Sequence, residues 1–255
     1  MSTVKTLILR APGINRDEET ALAFQQAGAE TQLATINQVA RAAFRFADYQ
    51  VIVFPGGFAY GDDLGAGRVL ASELNLKLRA EIEPFIAGGG LVLGVCNGFQ
   101  TLVKAGTLPG PVSRGQTVTL TNNDSGRFEC RWVYLTANPK SRCVFTRGIE
   151  RIYVPVAHGE GKLVAPPEVI ESLDVALYYT NAKGRKHAGY PHNPNGSLKD
   201  IAGITDSTGR IFGMMPHPED HIRATHHPRW TRGEATAASL GLAIYKNAVE
   251  WVKSL

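Results

Sequence analysis

Two short runs, Val51–Phe54 and Leu91–Val95, are apolar at every position. A strand with one wet face alternates apolar and polar side chains. Strands without that alternation are covered on both faces, as in a parallel sheet flanked by helices. Val4–Leu9, ending at Pro12-Gly13, and Thr31–Ile36 read as two more strands of the same sheet. Between them, Asp17-Glu18-Glu19 opens a helical pattern with acids suited to a positive helix N-terminus, and Gly28 closes it. Asn37 is placed to cap the next helix. A longer helix is expected over Leu70–Ile86, with a break near Pro84.

Beyond Gly115 the pattern changes. Thr117–Leu120 and Arg131–Leu135 read as antiparallel strands, and Val175–Thr180, Ile201–Thr205 and Arg210–Gly213 continue a strand-rich half. Asn181–Ser197, rich in Gly, Pro and Asn, reads as a surface loop. Leu240, Ile244, Ala248 and Trp251 recur at helical spacing, which predicts a terminal helix over Ala235–Trp251. No repeat, low-complexity tract or linker interrupts the 255 residues, so one domain spanning 1–255 is expected.

Composition narrows the class. Hydrophobic residues make up 44% and charged residues 20%, the profile of a globular enzyme. The net charge of +4 is scattered, densest near Arg223, Arg229 and Arg232, so no nucleic-acid tail is expected and at most a local site for an acidic partner. Three cysteines, Cys96, Cys130 and Cys143, are too few for a disulfide framework and fit a reducing compartment. No apolar stretch approaches the roughly 18 residues of a membrane span and no signal sequence is visible, so a cytoplasmic location is expected. A phosphate-binding Gly-x-x-x-x-Gly-Lys motif is absent, and Gly88-Gly89-Gly90 precedes a strand where a dinucleotide fingerprint follows one. No cofactor is therefore expected in this chain.

The chemistry concentrates at Gly94-Val95-Cys96-Asn97-Gly98. It follows a strong strand and precedes Phe99–Val103, a candidate helix. This is the Gly-x-nucleophile-x-Gly pattern of a strand-to-helix elbow. A sharp turn holds the nucleophile in a strained conformation, and the glycines remove side chains that would clash. The helix N-terminus favours thiolate, and the Asn97 N–H is placed to stabilise an oxyanion. Free cysteine is also a common core residue; the strand and helix on either side favour the nucleophile at Cys96, whereas Cys130 and Cys143 lack such a setting and read as structural.

A cysteine nucleophile needs a base, and the base needs an orienting group. His217 lies just after a strand, between Pro216 and Pro218, which stiffen the turn, and Glu219 two residues on points the same way. His217 and His221 are spaced as a helical metal pair, but Pro218 disfavours a helix and no third ligand is evident, so no metal site is expected. Pro55-Gly56-Gly57-Phe58 is the candidate second oxyanion loop, because glycines let backbone amides approach a ligand.

With these residues in place, the chain resembles the class I glutamine amidotransferases over nearly its whole length. Gly94–Gln100 and Gly213–Glu219 carry that likeness. Pro55–Asp62 matches as well, and Asn97–Gln100, Ala157–Gly161 and Asn193–Ser197 narrow the likeness to the glutaminase subunits of phosphoribosylformylglycinamidine synthases. The resemblance implies a three-layer α/β fold, flavodoxin-like, with a mostly parallel central sheet and the active site at the strand carboxyl ends. It implies Cys96 as nucleophile, His217 as base, Glu219 as orienting group, the Gly57 and Asn97 amides as oxyanion hole, and Gln100 as a contact for glutamine. His158 and Glu160 fall in a family motif without an assigned role. The implied partners are a large synthetase subunit, which uses ATP and magnesium, and a small bridging subunit; neither nucleic acid nor membrane is among them. The chain departs from the family pattern at Asp220, where arginine is common, at Ala59, where serine is common, and in a longer Asn181–His192 segment.

Three other readings fit some of the same residues. One is a class I glutaminase serving a different synthetase or acting as a free γ-glutamyl hydrolase. Another is a non-catalytic regulatory subunit of the same fold, against which the intact Cys-His-Glu set argues. The third is a redox or chaperone-like protein of the same elbow type, which uses cysteine without a downstream His-x-Glu.

Overall fold

The computed structural model describes residues 3–110, 115–234, 236 and 240–255. Its centre is a nine-stranded sheet. The strands are β1 (Val4–Arg10), β2 (Ala29–Thr35), β3 (Val51–Phe54), β4 (Leu91–Val95), β6 (Glu129–Ala137), β7 (Arg151–His158), β9 (Asp174–Thr180), β10 (Ile201–Thr205) and β11 (Ile211–Met214). A separate antiparallel pair joins β5 (Thr119–Thr121) to β8 (Lys162–Val164). The order in the large sheet is β2-β1-β3-β4-β11-β10-β9-β6-β7. The first five of these strands are mutually parallel and follow the flavodoxin-like order; the remaining four are added antiparallel. Every residue of β3, β4, β10 and β11 is buried, as unbroken apolar runs require.

Helices α1 (Asp17–Gln26) and α7 (Leu242–Lys253) pack against each other and β1, while α3 (Arg68–Glu73) packs on α5 (Asn97–Lys104), which lies along β3, β4 and β11. Phe24 of α1 meets Tyr245 of α7 edge-to-face, ring centroids 5.0 Å apart. In the parallel half, every crossover returns the chain so that strand carboxyl ends share one edge, where the crevice of such folds lies.

Several local expectations shift. Strand β2 ends at Thr35, and Thr35 rather than Asn37 caps the following helix, α2 (Ile36–Ala40), in a reciprocal capping box with Gln38. The long helix breaks well before Pro84. A π-type turn over Leu74–Leu78 separates α3 from α4 (Arg79–Ala87), and Pro84 sits inside α4, where it removes one donor while Gly88 N–H still reaches its carbonyl. The strand expected at Thr117–Leu120 lies at Thr119–Thr121. The terminal helix begins at Leu242, not Ala235; residues 235 and 237–239 lie outside the described part. Strands β7 and β8 and helix α6 (Pro167–Ser172) were not expected. Pro155 interrupts the strand signal of β7, and the sheet accommodates it because β7 is the edge strand.

Candidate active site

The elbow forms as its glycines require. Cys96 has φ 49° and ψ −106°, a strained conformation for a residue with a side chain, and α5 starts at the next residue. A Cβ on Gly98 would lie 1.8 Å from Phe54 O, and one on Gly94 would lie 2.8 Å from the Gly98 carbonyl. The strand-to-helix turn can be this tight only with glycine at both places. The Cys96 thiol lies 3.7 Å from Ala157 O, at the end of β7.

His217 follows β11, beside β4 in the sheet, so the order of strands brings His217 and Cys96 to one edge. Its N–H donates to Pro155 O at 2.8 Å, which anchors the turn to β7. Its Nδ1 donates to Glu219 Oε1 at 2.6 Å, and the second carboxylate oxygen of Glu219 accepts from Tyr245 Oη at 3.2 Å. Among the described residues His217 Nε2 has no hydrogen-bond partner, and the Cys96 sulfur is close enough to act on the ring. Burial lowers the basicity of the ring, but the Glu219 carboxylate and the Cys96 sulfur outweigh it and hold His217 well above the ordinary histidine range. Such a ring is poised to share a proton with a thiolate. By contrast, burial pushes the Cys143 thiol up to about 12, which makes it inert, and Cys130 is exposed within β6, not at a helix N-terminus.

The two candidate oxyanion donors come from the loop after β3 and from the start of α5. Asn97 is the first residue of α5, so its N–H is one of the unpaired amides of a helix start. Gly56 O accepts from Asn15 N–H at 3.3 Å and Arg16 N–H at 3.2 Å. In a planar trans peptide the N–H opposes the carbonyl, so the Gly57 N–H turns away from α1. Cys96 and His217 adjoin this peptide: a Cβ on Gly56 would come 3.5 Å from Cys96 Cβ and 2.7 Å from His217 Cε1. Gly57 itself has φ 147° and its added Cβ would strike Gly13 O, so it too must be glycine. The Asn97 side chain ties the two donors together. Its Oδ1 accepts from Ala59 N–H at 3.2 Å, and its Nδ2 donates to Asp62 and to Gln100 Oε1, each at 3.0 Å.

Gln100 has protein partners at both ends of its amide, the second being Glu160 O, which accepts from Nε2 at 2.6 Å. Glu160 accepts from Ala66 N–H at 3.1 Å and pairs with Lys104 at 3.3 Å, so it fastens the segment before α3 to the end of β7. His158 is buried between Asn123 Oδ1 (3.1 Å) and Asn195 Nδ2 (3.4 Å), and Asn195 also donates to Tyr179 Oη at 3.1 Å. Burial, and then the charge on His217, push His158 down to about 3, so it stays neutral. Asn195 is fully buried, which corrects the reading of Asn181–Ser197 as wholly a surface loop. The loop end enters the molecule because its amides pair with His158, Tyr179 and Ser197.

The side chains of His217, Glu219 and Asp220 have ligating atoms within 4.8 Å of one another. His217 and Glu219 are already joined to each other, and Asp220 accepts from Arg16 Nε at 3.3 Å, an arrangement of hydrogen-bonded pairs rather than an open ligand set. His221 turns its Nδ1 to Tyr153 O at 2.5 Å, away from a shared site with His217. Reasoning from the sequence missed Tyr245, Asn195, Tyr179 and Arg16.

The model of the CobB/CobQ-like glutamine amidotransferase domain matches residues 3–252. A curated relative from Dehalococcoides mccartyi, phosphoribosylformylglycinamidine synthase subunit PurQ, is 56% identical over 255 residues and covers 100% of both chains. A protein of the same description from Methanococcus maripaludis is 42% identical over 264 residues, covering 97% of each. Among solved structures, a chain of PurLQS from Thermotoga maritima superposes with a TM-score of 0.76 at 29% identity, covering 98% of this chain and 100% of that one. An elbow cysteine, a His-x-Glu turn after the last parallel strand and this full-length likeness lead to one assignment: the chain belongs to the CobB/CobQ-like glutamine amidotransferase family.

Proposed function

We propose that the chain is the glutaminase subunit of a phosphoribosylformylglycinamidine synthase, acting as one catalytic domain. The observation that carries the reading is the strained Cys96 at a helix N-terminus beside a His217 that is hydrogen-bonded to the buried Glu219. The full-length likeness to subunits of that synthase supports the choice of reaction.

In this reading the Cys96 thiolate attacks the side-chain carbonyl of glutamine. The Gly57 and Asn97 amides receive the negative charge that develops on oxygen. His217, cationic after taking the thiol proton, gives it to the departing ammonia. The C–N bond breaks and a γ-glutamyl thioester remains on Cys96. His217 then takes a proton from water, the hydroxide adds to the thioester, and glutamate leaves as the thiol reforms. Glu219 holds the imidazole in the tautomer that serves both steps. Gln100 and Glu160 join α5 to the end of β7 and set the wall against which glutamine is held. The ammonia passes to a separate synthetase subunit, which uses ATP and magnesium to convert formylglycinamide ribonucleotide to the amidine, with a small bridging subunit completing the complex. This chain needs no cofactor for its own half-reaction. No helix among the described residues is long and apolar enough to cross a membrane. A cytoplasmic location for the complex is part of the same proposal.

Cys96→Ser tests the reading in the assembled complex. Serine keeps the shape but is not an easily formed anion at neutral pH. Glutamine-dependent amidine synthesis is expected to disappear while synthesis from added ammonia persists. Equal loss with both nitrogen donors would instead assign Cys96 to folding or docking.

A further inference from the structure

We propose that Arg16 is a positioning residue that braces the Gly56–Gly57 oxyanion peptide against the His217–Glu219 turn, with its backbone N–H on one side and its guanidinium on the other. The proposal rests on the glutaminase reading above and adds to it a part outside the three-residue machinery.

Three contacts converge on this one residue. Its N–H holds Gly56 O at 3.2 Å, the contact that turns the Gly57 N–H away from α1. Its carbonyl is held by the first turn of α1, accepting from Thr20 N–H at 3.1 Å and Thr20 Oγ1 at 2.5 Å. Its Nε reaches Asp220 Oδ2 at 3.3 Å, on the residue next to Glu219. The other side of the guanidinium donates from Nη1 to Asn15 O at 3.0 Å, within the same loop, which leaves Nε directed at Asp220.

The oxyanion peptide needs such a brace. A glycine-glycine peptide rotates at low cost, and the two hydrogen bonds on Gly56 O, at 3.2 and 3.3 Å, are long. The same segment is zipped to its neighbour further along: Phe58 N–H donates to Gly13 O at 2.9 Å and Tyr60 N–H to Pro12 O at 2.7 Å. Those bonds hold residues 58–60 but leave the Gly56–Gly57 plane dependent on where the Asn15 and Arg16 amides sit. On the other side, Asp220 is partly buried next to the fully buried Glu219. Two adjacent carboxylates repel, and the groups that offset them are His217 and Arg16. Glu19 lies 3.9 Å from the same guanidinium and competes only weakly for it. One cation thus couples the turn that carries the base to the loop that carries an oxyanion donor.

The test is made in the complex with its synthetase, with glutamine as substrate. A part-exposed ion pair biases a conformational equilibrium by about fivefold. Arg16→Ala is therefore expected to lower kcat measurably, by up to about fivefold, while KM stays within about twofold, because the donor acts on the transition state. Asp220→Asn, close to isosteric, is expected to change kcat in the same direction, and serves if Arg16→Ala folds poorly. The charge-exchanged double variant, Arg16→Asp with Asp220→Arg, is expected to recover most of what either single reversal loses. Labelling of Cys96 by iodoacetamide, a displacement that forms no oxyanion, is expected to keep its wild-type rate in Arg16→Ala. A kcat for Arg16→Ala indistinguishable from an active wild type overturns the proposal, even if thermal stability falls. A labelling rate that drops in step with kcat also overturns it, since Arg16 would then act through the thiol and base. Absence of glutamine hydrolysis by the wild-type complex would count against the glutaminase reading itself and not against the brace.

Discussion

The hydroxyl of Tyr245 donates to Glu219 Oε2 at 3.2 Å, on the oxygen that His217 does not use. Glu219 is a fully buried carboxylate, and such a group is tolerated only when its lone pairs are satisfied. Tyr245 comes from α7 and is locked in place by its edge-to-face contact with Phe24 of α1. Burial, and then the Glu219 charge, hold the phenol well above its ordinary range, so it remains a donor at every working pH. Tyr245→Phe removes the hydroxyl and leaves the ring. We expect stability to fall by about 1–3 kcal/mol, the cost of an unsatisfied buried acceptor. We also expect kcat with glutamine to fall by about tenfold as the imidazole loses its orientation. Urea unfolding and steady-state glutaminase rates measure the two effects separately. An unchanged kcat would reduce Tyr245 to a packing residue.

Gly56 offers a sharper probe of the same geometry. No left-handed backbone angle demands glycine there; the adjoining His217 ring does, 2.7 Å from where a Cβ would stand. Gly56→Ala should therefore push the imidazole out of line with Cys96 and leave the sheet untouched. A misplacement of about 1 Å costs on the order of 100-fold in rate. The expected outcome is that loss in kcat, with a stability loss of about 1–3 kcal/mol from crowding the buried ring. Equal activity would mean that the ring tolerates displacement and that the order of strands, not this close contact, sets the alignment.

The parts of this site that were legible in the sequence are those whose cause is local. The elbow at Cys96 is written in the glycines at 94 and 98, because a clash with Phe54 O or with the elbow's own backbone admits nothing larger. The turn at His217 is written in Pro216 and Pro218. The parallel half of the sheet is written in runs such as Val51–Phe54, buried at every position. What stayed hidden depends on distant pairing. Tyr245 lies in an apolar helix pattern and looks like core until Glu219 is seen beneath it. Asn195 sits in a polar, glycine-rich segment, and only its bonds to His158 and Tyr179 explain why it is buried. Arg16 looks like one surface charge among several. Strand β7 was missed because Pro155 breaks the local signal, and an edge position, which makes proline tolerable, is a property of the whole sheet.

The three cysteines separate cleanly by environment. Cys96 sits at a helix N-terminus beside His217, Cys130 is exposed within β6, and the Cys143 thiol is pushed up to about 12 by burial. A glutamine-shaped chloroketone should label Cys96 first, Cys130 slowly and Cys143 not at all in the folded protein. Peptide mapping after timed quenching reads the order. Comparable labelling of Cys96 and Cys130 would remove the case for a privileged thiol.

His158 makes a prediction about pH that does not depend on catalysis. It is buried and held down to about 3, so the folded protein keeps it neutral, whereas the unfolded chain protonates it near the ordinary 6.5. Its folded pKa is the lower one. The stability it allows is therefore intact above about pH 6.5 and is lost as pH falls from there toward 3, because the unfolded state takes up a proton that the folded state refuses. Between pH 7 and pH 5 this amounts to about 2 kcal/mol. His158→Gln keeps a side chain able to hydrogen-bond but cannot titrate. The variant is expected to be less stable than wild type at pH 7, since it packs less well between Asn123 and Asn195. Its disadvantage is expected to shrink by that same amount, about 2 kcal/mol, at pH 5. Urea unfolding of both proteins at the two pH values gives the double difference, in which the other titrating groups largely cancel. A disadvantage that is the same at both pH values would mean that His158 takes up its proton inside the folded protein, and that the neutral bridge from Asn123 to Asn195 is not what holds the end of β7 in place.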